Sequence, residues 1–237
     1  MMARTITLTS DATTQWQPIL VVTESPVELD EEDAKRYHKV PNSRIDFLCV
    51  DVADPTRQAL IAMFVQIPFQ GTEFTPPAVR AQQASETVSK RAMTLLSAYC
   101  RLQAGKCKHT PAFLGTLKEK QAQDGWVPGG YAFFLGFTWL PGVKLGTGCV
   151  SDGLFYELPL QKRDEIREAF RVAYTSMAAC GVREWLSQSP KHLLWDEDTR
   201  KVYFVGDFAP TEETWEWGPV WWERWRLDEG HVRQRDV

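Results

Sequence analysis

Two polar side chains in the last third of the sequence have the types and positions that suit acid–base chemistry. Asp207 follows the apolar run VYFVG and His192 precedes the run LLW, within KHLLWDEDTRKVYFVGDFAPT at residues 191–211. A carboxylate and an imidazole at strand ends can hydrogen-bond to a substrate carbonyl and polarise it. We therefore take Asp207 and His192 as candidate catalytic residues. Each also has a structural interpretation, Asp207 as a turn cap and His192 as a core histidine with satisfied hydrogen bonds.

The elements that would position these side chains are a hairpin and the helix before it. HLLW and VYFVG have the apolar, aromatic content of strands, and the charged DEDTRK between them predicts a turn. Apolar residues recur every three or four positions between Leu158 and Cys180, which predicts a helix there. The same patterns predict a second helix and four strands upstream, the helix over residues 78–104 and the strands over 44–52, 57–69, 107–119 and 131–140.

These elements fall into three consecutive regions. Residues 1–44 are polar and in places acidic, with only PILVV resembling a strand, so we expect an irregular N-terminal arm. Residues 45–140 hold most of the predicted strands and one long helix. The turn PGVKLGTG then leads into residues 141–237, which we expect to be mostly helical with the hairpin described above.

Composition excludes several classes of function. The net charge of -4 favours neither nucleic acid nor an anionic membrane, and no window approaches the ~18 apolar residues of a membrane span. We expect a cytoplasmic protein without a membrane span. The five cysteines include no C-x-x-C pair, which predicts free thiols and no structural zinc. Five tryptophans in TWEWGPVWWERW, residues 214–225, predict a packing slab, a partner surface or a pocket wall.

Three strings, in this order, resemble the protein-kinase-like superfamily. They are AYCRLQAGKCKHTPAFLG, YAFFLGFTWLPGVKL, and GV at 181–182 followed by PKHLLWDEDTRKVYFVGDF. Within the superfamily, which includes the aminoglycoside-phosphotransferase-like enzymes, they are most similar to short, divergent fungal proteins. The resemblance extends over residues 45–210. It implies an α+β fold of two lobes, with an antiparallel β-rich N-lobe containing one long helix and a mostly helical C-lobe containing a β-hairpin.

The residues that phosphoryl transfer requires in that family are missing from this sequence. The strand that should carry a lysine has none, and Leu95 stands where the partner glutamate is expected. His192 takes the place of the metal-binding asparagine, and the catalytic aspartate falls on Ser187 or Leu186. Losing several such contacts removes the charge compensation that phosphoryl transfer needs. The resemblance therefore implies a pseudokinase-like protein that binds no metal and uses no cofactor.

The altered positions are apolar or aromatic, which points to a hydrophobic ligand. We expect a small molecule in the cleft between the two lobes and, if the protein is an enzyme, a cofactor-independent cyclisation or isomerisation in fungal secondary metabolism. The residues expected to contact this molecule are Met63, Phe137, Trp139, Trp185 and Phe208.

Two alternatives remain open at this point. The protein could be a catalytically inactive pseudokinase that serves as an interaction scaffold with a protein partner. It could also be a residual kinase with a relocated lysine, such as Lys90 or Lys144. In all of these interpretations Glu184 is expected to be a solvated side chain.

Overall fold

The structure, a computed structural model, describes residues 5–9, 13–185, 187–213 and 216–230. The chain divides into two compact units, Met1–Met93 with Phe113–Trp139 and Thr94–Ala112 with Leu140–Val237. The division after Trp139 lies next to the one predicted after residue 140. Segment 94–112, which the sequence places with the β-rich region, belongs instead to the second unit. None of the helices among the described residues is long and apolar enough to cross a membrane.

The first unit is built around one antiparallel sheet of six strands in the order β1-β2-β3-β4-β6-β5. Its elements are β1 (Ile6–Thr7), β2 (Gln15–Val27), α1 (Glu31–Tyr37), β3 (Asn42–Asp51), β4 (Gln58–Gln66), α2 (Pro77–Arg80), the start of α3 (Lys90–Ala104), β5 (Phe113–Lys120) and β6 (Tyr131–Thr138).

The two outer strands of this sheet approach each other and nearly close it into a barrel. Just past β1, the backbone N–H of Thr9 donates to the carbonyl of Thr116 in β5 at 2.8 Å. Leu8 is 1% exposed, and a Cβ on Gly136 in β6 would collide with its side chain. Closure of a sheet removes exposed strand edges and encloses a core between its inner faces. The result is a barrel-like sheet with an apolar centre.

Strand β4 shows how the sequence fills that centre. Ala59, Ile61 and Val65 belong to the core cluster of the barrel, and Met63 packs against it. Alternate residues of a strand point to opposite faces, so Phe64 lies on the outer face of the sheet. The strand is apolar on both faces, which is typical of a buried strand.

Regular structure also extends into the first 44 residues. They were expected to form an irregular arm, whereas the structure places β1, the 13-residue strand β2 and α1 there. Asp30 caps α1 by accepting a hydrogen bond from the Asp33 N–H.

The second unit combines helices with two small antiparallel sheets, in the orders β10-β9-β7 and β11-β8. Its elements are the remainder of α3, β7 (Val143–Lys144), α4 (Leu154–Glu157), α5 (Leu160–Ala179), β8 (Val182–Glu184), β9 (Leu193–Asp196), β10 (Lys201–Phe204), β11 (Phe208–Pro210) and α6 (Val220–Arg224). A short 3-10 turn at Pro190–His192 precedes β9.

The tryptophan-rich segment packs within this unit. Trp225 is fully buried and its ring lies 5.5 Å from that of Phe170 in α5. Trp221 lies 4.7 Å from Tyr174, one turn further along the same helix. The packing interpretation is therefore confirmed for these rings; Trp215 lies outside the described residues.

The predicted two-lobed kinase-like fold class is wrong. Helices make up only about 29% of the described residues, and the six-stranded sheet is a nearly closed barrel. The second unit, expected to be mostly helical, contains five of the strands named above. The structure is a β-rich α+β fold. Sequence patterns located most strands and both long helices, but the family resemblance gave the wrong assembly for them.

Candidate functional site

Asp207 and His192 lie where the two small sheets of the second unit meet. In the β9–β10 hairpin, Phe204 pairs with Leu193, and the N–H of Val205 donates to the His192 carbonyl at 2.8 Å. After Gly206 the chain enters β11, where Phe208 pairs with Glu184 of β8. The junction between the sheets therefore brings His192, Asp207 and Glu184 into one neighbourhood.

Glu184 is the most unusual side chain at this junction. It is 7% exposed, and neither of its carboxylate oxygens has a hydrogen-bond partner among the residues that the structure describes. A buried carboxyl without partners is costly, because it has lost its hydration and gained no hydrogen bond in return. A buried group of this kind is typical of a catalytic site or of a position where a ligand atom binds.

Gly206 shows how the groups converge. A Cβ placed on this glycine would lie 3.0 Å from His192 Nδ1 and 3.2 Å from Glu184 Oε1. Its φ of +145° is a backbone conformation that residues with a side chain rarely adopt. Glycine therefore keeps the space between the imidazole and the buried carboxyl free of protein side chain.

The environment moves the pKa values of the two groups in opposite directions. Burial, with a further contribution from the charge of Asp207, raises the pKa of Glu184 from 4.5 to about 9, against the opposing charge of Lys191. Burial and the charge of Lys191 lower the pKa of His192, although a hydrogen bond of its imidazole to the Val205 backbone and the charge of Asp207 oppose this. At neutral pH Glu184 is thus protonated, and His192 is neutral. A proton donor and a proton acceptor therefore stand side by side.

His192 also lies next to an exposed hydroxyl. His192 is half-buried, and its Nε2 lies 3.1 Å from the hydroxyl of Ser187, which is exposed. Trp185 is half-buried, and its backbone N–H donates to the backbone carbonyl of Asp207 at 2.9 Å. The Nε2 edge of the imidazole therefore faces an exposed hydroxyl. Leu186, between these residues, lies outside the described part of the chain.

The other predicted ligand-binding residues are distributed over both units. Phe208 is fully buried in β11, with its ring 5.6 Å from that of Tyr99. Met63, Phe137 and Trp139 belong to the first unit. Met63 points into the barrel, whereas Phe137 lies on the opposite face of the sheet and is 2% exposed. The sheet itself therefore separates Met63 from Phe137.

Glu184 is a candidate functional residue that sequence analysis missed, because its charge suggested a solvated position. The sequence did contain a signal. Val182 is apolar and lies two positions before Glu184, so in a strand the two share a face. In the structure both are buried, and Arg183 between them is exposed.

In the part of the chain that the structure describes, neither a metal site nor either of the two larger cavities involves Glu184, His192 or Asp207. Within the described residues, no group of three or more His, Cys, Asp and Glu side chains is arranged to hold a metal ion. Two open cavities of about 390 and 430 Å³ lie on the second unit, and neither is lined by Glu184, His192 or Asp207.

Comparisons with known protein families and with curated proteins find no match to this chain. The roles of Glu184, His192 and Asp207 therefore rest on their geometry.

Proposed function

We propose that the protein binds a small hydrophobic molecule beside Glu184 and catalyses proton transfer on it, as in an isomerisation or a cyclisation. The observation that carries this proposal is the buried Glu184 carboxyl, which has no hydrogen-bond partner in the described part of the chain and has a pKa raised to about 9. Strongly perturbed carboxyls of this kind cluster at catalytic sites.

Each polar group has a defined role in the proposed reaction. The protonated Glu184 donates a hydrogen bond to a carbonyl oxygen of the substrate. The neutral His192 removes a proton from the carbon next to that carbonyl, and Glu184 passes its own proton to the oxygen as the enol forms. The reaction is completed when the imidazolium of His192 returns a proton to the same carbon or to another and the enol O–H proton returns to Glu184. General acid–base catalysis of this type supplies about 10² to 10⁴ in rate.

Asp207 supports the histidine in this scheme. When His192 takes up a proton it becomes a cation, and the nearby Asp207 charge stabilises that cation. The same charge helps to keep Glu184 protonated, because two neighbouring carboxylates repel each other. The Asp207 carboxylate therefore keeps the acid protonated and stabilises the imidazolium that forms during the reaction, although its charge opposes the neutral resting state of His192.

Hydrogen exchange into simple ketones tests this proposal without knowledge of the natural substrate. The protein is incubated in D₂O with a panel of apolar cyclic and unsaturated ketones, and deuterium gain at the α-carbon is measured by mass spectrometry. We expect exchange to be catalysed by the wild type and lost in Glu184→Gln and His192→Ala. Glu213→Gln changes an exposed glutamate of the same unit and serves as the matched control.

The pH dependence of the exchange gives a second criterion. Activity should rise with pH through the lowered pKa of His192, which lies below its ordinary 6.5, and fall through the Glu184 pKa near 9. Exchange that is equal in the wild type, both site variants and the control would refute the proposal.

A protein-interaction role is a second candidate, favoured by the exposed apolar run in β2. Ile19, Leu20 and Val21 are 54%, 58% and 54% exposed. Beyond Trp16, the one strand paired with β2 among the described residues is β3. An open strand edge with apolar side chains can pair with a second strand.

The partner we propose for this role is the same segment of β2 in a second copy of the protein. Antiparallel pairing centred between Leu20 and Val21 would set Ile19 opposite Val22 and Gln17 opposite Glu24, so that no like charges face each other. Light scattering across a concentration series should then show a dimer that Val21→Lys dissociates. A single-chain mass at every concentration would contradict this role.

A further inference from the structure

Two cysteines of the second unit meet at the C-terminal end of α5. The hydroxyl of Ser176 donates to Cys107 Sγ at 3.6 Å, and the thiol of Cys180 donates to the carbonyl of Ser176 at 3.3 Å. Ser176 thus holds one sulfur at its side chain and the other at its backbone. The two thiols are close enough for Cys107 to raise the pKa of Cys180, an effect second to that of burial.

The local backbone makes room for this arrangement. A Cβ on Gly105, two residues before Cys107, would collide with Cys180 Sγ. The absence of a side chain at this position therefore allows the sulfur of Cys180 to lie against the segment that carries Cys107. Both thiols are partly exposed, so a small reagent can reach them.

We propose that Cys107 and Cys180 are a modification site, at which a small-molecule disulfide such as oxidised glutathione converts the two thiols into a reversible disulfide. The spacing in sequence gave no sign of this pair. The proposal is independent of the proposed catalytic activity.

The exchange proceeds in two balanced steps. The thiolate of Cys107 attacks one sulfur of glutathione disulfide, which breaks that S–S bond and releases one glutathione thiolate to take up a proton. Cys180 then loses its proton, and its sulfur attacks the protein–glutathione disulfide and releases the second glutathione. Two protein thiols are oxidised, and one glutathione disulfide is reduced to two thiols. The raised pKa of Cys180 makes the second step faster at alkaline pH.

The new bond would reinforce the strands that hold the candidate site. Cys180 ends α5, and β8 with Glu184 begins two residues later. At the same junction, Arg101 of α3 donates to the carbonyls of Gly181 and Thr211, at 3.3 and 3.2 Å. Thr211 directly follows β11. A disulfide would add a covalent link to this junction.

Titration of the full chain with mixtures of reduced and oxidised glutathione tests this pairing. After quenching with an alkylating reagent, non-reducing peptide mapping should recover one cross-linked pair of peptides containing Cys107 and Cys180. Cys180→Ser should instead accumulate glutathione on Cys107, because the second step is blocked. Cys100→Ser removes an exposed thiol of α3 and is the matched control, in which the cross-link should form as in the wild type.

Two outcomes would overturn the proposal. One is stable glutathione on both Cys107 and Cys180 of the wild type without a cross-link. The other is a cross-link that joins a different pair of cysteines. The reinforcing role has its own test, since the melting temperature of the oxidised protein should exceed that of the reduced protein by several degrees. Equal melting temperatures would refute that role.

Discussion

Replacing Glu184 by glutamine should make the stability of the protein much less dependent on pH. Glutamine has nearly the same shape and cannot ionise. The carboxyl is 7% exposed in the folded protein, and burial with the charge of Asp207 raises its pKa from 4.5 to about 9. Between the pKa of the unfolded state and the pKa of the folded state, each rise of one pH unit lowers the free energy of unfolding by about 1.4 kcal/mol.

The sign and size of the effect follow from these pKa values. Below pH 4.5 the carboxyl is protonated in both states and costs nothing through ionisation. As pH rises from there to about 9, the unfolded chain releases its proton while the folded chain keeps it, so stability is lost. At neutral pH the penalty is about 3 kcal/mol, and Glu184→Gln should recover an amount of this order relative to acidic pH. The glutamine amide also lacks partners, but that cost is the same at every pH.

Urea denaturation of both proteins between about pH 5 and pH 9, followed by tryptophan fluorescence, measures this difference in unfolding free energy. The difference in unfolding free energy between the variant and the wild type should increase steadily with pH. Glu213→Gln, which changes an exposed glutamate, should follow the wild type. A gap that stays constant with pH would show that Glu184 ionises normally and would refute the reasoning.

Three further substitutions test the same structure. Asp207→Asn removes a charge that raises the pKa of Glu184. In the same urea series, the pH range over which stability falls should therefore end at a lower pH. An unchanged range would contradict an electrostatic interaction between Asp207 and Glu184. Gly206→Ala introduces strain at φ +145° and a Cβ 3.0 Å from the imidazole, and should lower the melting temperature more than Gly71→Ala, where φ is +86° and the space is open; equal losses would contradict the crowding. Leu8→Ala empties part of the barrel core and should cost about 3 kcal/mol by urea denaturation; a loss below about 1 kcal/mol would argue against a closed barrel.

The individual elements could largely be predicted from sequence because their patterns are local. The apolar spacing that predicted a helix from Leu158 to Cys180 corresponds to α5 at Leu160–Ala179. The alternation and turn chemistry around DEDTRK correspond to the β9–β10 hairpin. In both cases neighbouring residues decide the structure, so short windows of sequence contain the information.

The barrel and the buried acid depend on contacts between distant residues, which no short window contains. Closure relies on Thr9 meeting Thr116, and β2 pairs with β3 through two register irregularities that leave Ile19 and Val22 without strand partners. Glu184 is buried because β11 pairs alongside it, more than twenty residues later in the chain. Asp207 and His192 could be singled out from the sequence because they adjoin apolar runs, which is a local pattern, whereas the burial of Glu184 depends on this distant strand pairing.

The proposed reaction requires Glu184 to be protonated at neutral pH, and carbon-13 NMR of its side-chain carboxyl measures this protonation. Protein labelled at the glutamate carboxyl carbon is titrated through the neutral and alkaline range, and the Glu184 signal is assigned by its loss in Glu184→Gln. We predict a titration midpoint near 9, well above the ordinary 4.5. A midpoint close to 4.5 would mean that the carboxyl is charged at neutral pH, and would contradict its role as the proton donor.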